Sequence, residues 1–210
     1  MRLPYDRTKR LLDLVVAVPA LVLTLPVQAV LAAAVAVELG RPVLFRQVRP
    51  GRDGELFELV KFRTMLPVDP AQGLTDDRAR LTRFGRLLRS TSLDELPTLV
   101  NVVRGEMSLV GPRPLLVQYL DRYDQRQARR HDVLPGLTGL AQVAGRNALS
   151  WDRKLELDVQ YVERRSLRLD LTILVATAAT VLRRQGVNAP GEVTMPEFRG
   201  SGSGTGAEAA

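Results

Sequence analysis

The chain contains no cysteine. Disulfides and thiolate metal sites are excluded, and a reducing compartment is permitted. A single histidine, His131, excludes a multi-histidine zinc site. Aromatic residues make up 5% of the 210 positions, thin for a protein that stacks on bases. Neither a GxxxxGK[ST] phosphate loop nor a strand-coupled GxGxxG turn is present. Any phosphate must therefore be held mostly by scattered cations and metal. Finally, there is no charged residue between Asp13 and Glu38.

What the chain does have is a core-forming share of hydrophobic residues, 45%, and a net charge of +7. Its length suits one domain. The positive excess points to a polyanionic partner: nucleic acid, anionic lipid or a phosphate-rich substrate. The paucity of aromatics and the apolar run put nucleic acid last.

The run from Leu14 to Val37 is broken only by Pro19, Thr24, Pro26 and Gln28. As one straight helix it extends about 36 Å, enough to cross a ~30 Å hydrocarbon core. Two features oppose a simple span. Arg2, Arg7, Lys9 and Arg10 precede it and Arg41, Arg46, Arg49 and Arg52 follow it, so the positive-inside rule keeps both ends in the cytoplasm. Pro26 lies near its middle and predicts a break into two arms of roughly 12 residues. Such a pair enters one leaflet and returns. Thr24 and Gln28 are the nearest partners for carbonyls that the break frees. Spanning and re-entrant readings both stay open. The run is longer than the usual ~7–15-residue signal-peptide core, although Ala32-Ala33-Ala34 offers small residues for cleavage.

Beyond it, Val43–Val48 and Glu55–Thr64 predict a β-hairpin around the turn Arg49–Gly54. Residues 67–77 read as a loop, and 81–88 as a helix. A helix over 93–103 carries Pro97 near its start. Gly111-Pro112-Arg113-Pro114 must be a turn or extended. Residues 115–130 read as a charged helix, 134–139 as a loop and 151–164 as a helix. The stretch 170–182 is too short to span. It is either a core helix or one lying in the membrane interface. The tail from Gly200 is Gly and Ser rich and predicts disorder.

Arg89 to Pro97 is the densest cluster of reactive side chains. Ser92-x-x-Glu95 has the form of a capping box, in which Asp94 and Glu95 merely favour a positive helix end. Chemically, the same two carboxylates can ligate a divalent metal, and one can attack phosphorus. An aspartyl phosphate is a mixed anhydride, close in energy to a pyrophosphate. Arg113 sits between two prolines, which fixes its approach and suits bidentate phosphate recognition. Lys61 and Arg63 place two cations on one face of a strand, or else guard its edge. Arg146 and Asn147 lie in a loop. His131 beside Arg129 and Arg130 reads as a surface residue.

Taken in order, Lys9-Arg10-x-x-Asp13, Arg49-Pro50-Gly51, Lys61-Phe62-Arg63-Thr64-Met65, Ser92 to Pro97, Gly111 to Pro114, Pro135-Gly136-Leu137-Thr138-Gly139 and Gln142-Val143-x-Gly145-Arg146-Asn147 resemble the bacterial sugar transferases, or monotopic phosphoglycosyl transferases. The match runs from about residue 9 to residue 199. The segment Gly145 to Trp151 is most similar to the small members, which include transferases for di-N-acetylbacillosamine phosphate.

The resemblance implies an α+β, mostly helical protein. Residues 1–40 form a re-entrant membrane helix broken near Pro26. Residues 41–199 form a cytoplasmic catalytic domain with a β-hairpin and interfacial amphipathic helices, and 200–210 a disordered tail. Asp94 is the implied nucleophile and Glu95 its partner, the two being the implied ligands of Mg²⁺. Arg113 is implied to bind phosphate. Arg89, Lys61, Arg63, Arg146 and Asn147 are implied to line the substrate site. The implied donor is a UDP-sugar, the acceptor undecaprenyl phosphate, and the location the cytoplasmic face of the bacterial inner membrane. One departure is Leu25-Pro26, where small members often carry Ser-Pro. Two rivals stay open: a non-enzymatic basic membrane tether, and a membrane phosphohydrolase with an aspartyl intermediate.

Overall fold

The computed structural model describes residues 3–145, 148–183 and 196–200. It opens with helix α1, Leu3–Leu39, which continues unbroken through Pro19 and Pro26. The predicted interruption into two helices is therefore not found. A proline removes one N–H donor, and here the flanking turns, with apolar side chains on every side, carry the helix past the gap. Thr24 does not serve the carbonyl that Pro26 frees, that of Val22. Its hydroxyl donates instead to the carbonyl of Ala20 at 2.6 Å, and Gln28 Nε2 donates to that hydroxyl at 3.0 Å.

One stripe of α1 faces the rest of the chain. Asp13, Ala17, Val35 and Leu39 are buried along it, while Leu23 and Val37 on the other face are 78% and 83% exposed. Both ends are tied down by polar contacts. Near the start, Arg10 donates to the carbonyls of Val102 and Val103 at 2.6 and 2.8 Å, and Asp13 accepts from the Leu109 N–H at 3.1 Å. Lys9 pairs with Asp170 at 3.0 Å. At the far end, Arg63 donates to the carbonyls of Leu39, Gly40 and Arg41. Arginines thus satisfy the orphan carbonyls at two helix ends.

The hairpin forms as predicted. β1, Leu44–Pro50, pairs antiparallel with β2, Leu56–Phe62, with Gln47 opposite Leu59. The short α2, Asp77–Arg80, and α3, Arg83–Ser90, follow. The predicted helix over 93–103 divides. Leu93–Thr98 is a 3₁₀ run, with Pro97 inside it, and α4 occupies Leu99–Arg104.

β3, Ser108–Val110, and β4, Gly136–Thr138, make a parallel pair. The Pro and Gly residues of 134–139 predict a loop there, and the structure places a strand in it. Three glycines make that pair possible. A Cβ on Gly136 would lie 2.1 Å from the Gly111 nitrogen, and one on Gly139 would lie 2.1 Å from the Gly111 oxygen. Two backbones meet here without room for side chains.

The predicted helix over 115–130 is instead a 3₁₀ run, Val117–Arg122, a short α5, Gln125–Ala128, and a 3₁₀ turn, Arg129–His131. α6, Leu140–Ala144, precedes α7, Trp151–Arg164, the latter as predicted. α8, Leu167–Arg183, starts earlier than expected. It is neither wholly buried nor wholly out: Ile173 is 1% exposed, Leu171 62% and Val175 63%. The main core joins Ala17, Leu99, Val102, Val110, Tyr161 and Ile173, so α1, α4, β3, α7 and α8 share it. The predicted disordered tail lies outside the described residues, Gly200 excepted.

Candidate active site

Asp94 is placed by its neighbours in the chain. Ser92 adopts a left-handed conformation, φ 57° and ψ 16°, and its side chain makes no cap. The capping box is therefore not formed. The turn at Ser92 instead swings the following 3₁₀ run against β2. Thr98 Oγ1 donates to the Val60 carbonyl at 2.8 Å. The Asn101 amide donates to the Glu58 carbonyl at 2.7 Å and accepts from the Val60 N–H at 3.2 Å. These bonds satisfy the free edge of β2. They also set Asp94 beside Lys61, one residue along the strand.

The Asp94 carboxylate is 5% exposed. Burial and the adjacent Glu95 charge push its pKa up to about 6, opposed by Lys61, Arg113 and Arg89. Among the described residues no hydrogen bond holds it. Lys61 is pushed down to about 8, mainly by burial, and its ammonium lies 5.2 Å from the Phe45 ring centre. Arg89 donates from Nε to Thr64 Oγ1 at 3.2 Å, and burial lowers its pKa as well. Arg113 pairs with Glu95 at 2.6 Å. That charge raises the Arg113 pKa.

Asp94, Glu95, Lys61, Arg89 and Arg113 thus stand in one another's electrostatic field. Arg63 does not join them. It lies just past the end of β2, where the strand's facing no longer binds it, and turns to the open carbonyls of Leu39, Gly40 and Arg41 at the end of α1. Arg146 and Asn147 lie outside the described residues. His131 is not a plain surface residue: its Nδ1 meets the Gly51 carbonyl at 3.0 Å and braces the hairpin turn. Burial lowers its pKa.

Three contributors escaped the sequence reading. Arg130 and Asp158 form a buried ion pair at 2.8 Å, and Arg130 also donates to the Arg113 carbonyl at 2.5 Å. This pair fixes the backbone of the phosphate-binding candidate. Lys154, one helical turn before Asp158 on α7, is pushed down to about 8 by burial and by the Arg113 charge. A signal did exist. Asp158 falls on the apolar stripe of α7 with Leu155, Val159 and Val162, where an acid needs a buried partner.

Among the described residues no group of three or more His, Cys, Asp or Glu side chains converges. The adjacent carboxylates that could serve such an ion are Asp94 and Glu95. Two adjacent carboxylates suit Mg²⁺, which takes one or two of them and fills its sphere with water and substrate phosphates. Calcium or zinc cages need more protein ligands.

A family model described as bacterial sugar transferase matches residues 4–184. The chain is 51% identical over 195 residues to a protein of Bacillus subtilis (strain 168) named an uncharacterized sugar transferase, EpsL, covering 92% of this chain and 96% of that one. It is 41% identical over 193 residues to the UDP-glucose:undecaprenyl-phosphate glucose-1-phosphate transferase of Caulobacter vibrioides, covering 86% and 72%. It is 38% identical over 196 residues to the undecaprenyl-phosphate galactose phosphotransferase of Salmonella typhimurium, covering 85% of this chain but 41% of that longer protein.

Proposed function

This chain belongs to the bacterial sugar transferase family, and we propose that it moves a sugar 1-phosphate from a UDP-sugar to a polyprenyl phosphate through a covalent phosphosugar on Asp94. Family membership makes it an enzyme and removes the non-enzymatic tether. The observation that carries the mechanism is Asp94 itself. It is a buried carboxylate with no hydrogen bond among the described residues, facing Lys61, Arg89 and Arg113. A structural aspartate is bonded to its partners. A nucleophile needs a free oxygen, and cations placed to receive the charge of a phosphate.

With a pKa of about 6, Asp94 is ionised at neutral pH and keeps appreciable basicity. An Asp94 oxygen attacks the β-phosphorus of the donor. The bond from that phosphorus to the bridging oxygen breaks, and its electron pair leaves with UMP. The acyl phosphate that remains is an anhydride, so little energy is lost. An oxygen of the lipid phosphate then attacks the same phosphorus. The Asp94–phosphorus bond breaks, and the carboxylate is regenerated. Lys61, Arg89 and Arg113 neutralise the equatorial phosphoryl oxygens. Glu95 orients Arg113 through their 2.6 Å contact. Asp94 and Glu95 would hold Mg²⁺, which would supply charge neutralisation at the diphosphate. The Caulobacter and Salmonella relatives are named for undecaprenyl phosphate with glucose and galactose respectively, so hexose donors are the first to try.

The acceptor lies in a membrane, and α1 is the anchor. It is long and apolar enough to cross one. Yet polar contacts tie both its ends to one small domain, Arg10 to the α4 carbonyls and Arg63 to the end of α1 itself. A spanning helix would part these contacts across the bilayer, whereas here both are made on the side of one domain. The reading is a helix dipping into the inner leaflet of the cytoplasmic membrane with the site on the cytoplasmic face, its exposed apolar side to lipid. Any bend at Pro26 occurs without loss of the helix.

The test is the adduct. Wild-type enzyme given a UDP-sugar labelled in the sugar and no acceptor should retain label on the protein and release UMP. Asp94→Asn should do neither, with turnover down ~10⁴-fold or more. Label surviving on the Asn variant refutes the assignment.

A further inference from the structure

Arg113 can receive a phosphate only if its backbone is held in place. Prolines on both sides fix the flanking φ angles. The carbonyls of Pro112, Arg113 and Pro114 each accept a hydrogen bond from a distant part of the chain. The donors are the Gly136 N–H at 2.9 Å, Arg130 at 2.5 Å and Arg49 at 3.5 Å. Of the three, the Arg130 contact acts at Arg113 itself. Whatever holds Arg130 therefore holds the phosphate ligand.

The geometry points to residues 196–200 as a clip that positions Arg113. Phe198, seated among aromatic rings, is a positioning residue for the donor-phosphate site and acts through Tyr123 and Arg130. This rests on the transferase reading above and deepens it.

The clip is bonded along its length. The Pro196 carbonyl accepts from the Trp151 indole N–H at 2.9 Å, and the Phe198 N–H donates to the Tyr119 hydroxyl at 3.2 Å. Glu197 pairs with Arg122 at 2.8 Å and accepts from the Gln118 amide at 2.9 Å. Arg122 also donates to the Phe198 carbonyl. The Phe198 side chain is 1% exposed. Its ring centre lies 5.4 Å from that of Trp151 and 5.7 Å from those of Tyr119 and Tyr123.

Each step from this seat to the active site is a direct contact. Tyr123 stacks on Phe198, with 26° between the ring planes. The Arg130 guanidinium lies 5.6 Å from the Tyr123 ring centre and donates to its hydroxyl at 3.4 Å. Arg130 donates in turn to the Arg113 carbonyl, and the Arg113 guanidinium pairs with Glu95, the neighbour of Asp94. The clip also bears on the two parts of the chain that flank this route. Tyr119 belongs to the 3₁₀ run that follows Arg113-Pro114. Trp151 and Leu155, packed in the same cluster, lie on α7, which carries Asp158, the buried partner of Arg130. With the seat empty, Tyr119, Tyr123 and Trp151 lose their common neighbour, and a ring-sized void opens into which they can relax. Arg130 then keeps Asp158 but loses the fixed ring and hydroxyl that aim it. A shift of about 1 Å at a substrate-positioning group is enough to weaken its contact severely.

Phe198→Ala in the full-length protein, in detergent or nanodiscs, tests the assignment. The measurement is the rate of labelled adduct formation, without lipid, against the concentration of UDP-glucose or UDP-galactose, whichever wild type accepts. The half-saturating donor concentration should rise about tenfold, as for one weakened charge-assisted contact. Adduct formed at saturation should stay near the wild-type amount. Phe198→Leu, which refills most of the seat, should recover most of the affinity. An unchanged half-saturating concentration, with adduct falling only as the folded fraction falls, overturns the assignment: the segment would then stabilise the domain without positioning Arg113. If Phe198→Ala does not fold, Trp151→Phe takes its place. It removes the indole N–H from the Pro196 carbonyl and should raise the half-saturating concentration about threefold. No rise there overturns the clip. If wild-type enzyme forms no adduct with any UDP-sugar, the transferase reading fails and takes this inference with it. If wild type forms adduct and the variant matches its half-saturating concentration, the clip alone fails.

Discussion

Asp170 and Asp94 are both buried aspartates, 7% and 5% exposed, but the chain treats them in opposite ways. Asp170 receives hydrogen bonds from Tyr5 and Tyr161 at 2.8 Å each and an ion pair from Lys9 at 3.0 Å. Its donors come from α1 and α7, and it sits on α8. It is a knot joining α1 to the rest of the domain. Asp94 has cations at a distance and no hydrogen bond among the described residues, and Ser92 before it holds a left-handed backbone. In the knot, burial of charge is repaid by direct contacts. At the catalytic pocket it is left outstanding, for substrate to settle. Stability should therefore fall when the knot is cut and rise when the pocket is relaxed.

The largest effect is expected at the knot. Asp170→Ala takes the carboxylate from a buried ammonium, Lys9, and from the Tyr5 hydroxyl, while Tyr161 keeps the Val110 carbonyl as acceptor at 3.0 Å. Such a break costs ~3–5 kcal/mol. Chemical denaturation in detergent should show that loss, with α1 becoming protease-sensitive. A cost below ~1 kcal/mol would show the contrast with Asp94 to be empty.

The next effect has the reverse sign. Asp94 has a folded pKa of about 6 against an ordinary value of 3.8. Between about pH 4 and pH 6 the folded state therefore holds a proton that the unfolded state has lost. Stability falls as pH rises through that window, and above it the full penalty remains. Asparagine carries no such penalty. Asp94→Asn should stabilise the protein at pH 7 by on the order of 2–3 kcal/mol while abolishing adduct formation. At pH 4 the gain over wild type should vanish. A gain independent of pH would mean that desolvation of the carboxylate is not its source.

The two regions also differed in how far the sequence disclosed them. Lys9-Arg10-x-x-Asp13 was legible as a motif but not as an anchor. Its partners, Asp170, the carbonyls of Val102 and Val103, and the Leu109 N–H, lie far along the chain, and no local pattern connects them. The hairpin and α7 were legible because their signals are local: turn residues between β-formers, and a helical apolar stripe. β3 and β4 were not, since three residues each are too few for a periodic signal and their pairing depends on glycines brought together from positions 111, 136 and 139. Lys61 and Arg63 look equivalent in sequence. Only the carbonyls at the end of α1 decide that one enters the pocket and the other does not. Continuous helix across Pro26 was missed for a similar reason. Proline's cost is local and visible in sequence, whereas the support of the turns on either side is not.

Ser92 gives the smallest effect and the finest test of the contrast. As the cap of a capping box, Ser92→Gly would cost only a few tenths of a kcal/mol, and Ser92→Ala about 1 kcal/mol. The observed backbone predicts otherwise. At φ 57° a Cβ is strained against the carbonyl, by ~1–2 kcal/mol for an ordinary L-residue. Glycine removes that strain but gives back part of it in unfolded-chain entropy. Ser92→Gly should therefore raise stability by ~0.5–1 kcal/mol, and Ser92→Ala should not. Thermal melts of the two variants side by side distinguish these cases. The same glycine loosens the turn that aims Asp94, so the rate of adduct formation should drop as the melting temperature climbs. A variant that gains both would mean that the left-handed turn does nothing for the nucleophile. Strain at Ser92 would then be incidental to the pocket, unlike the desolvation at Asp94.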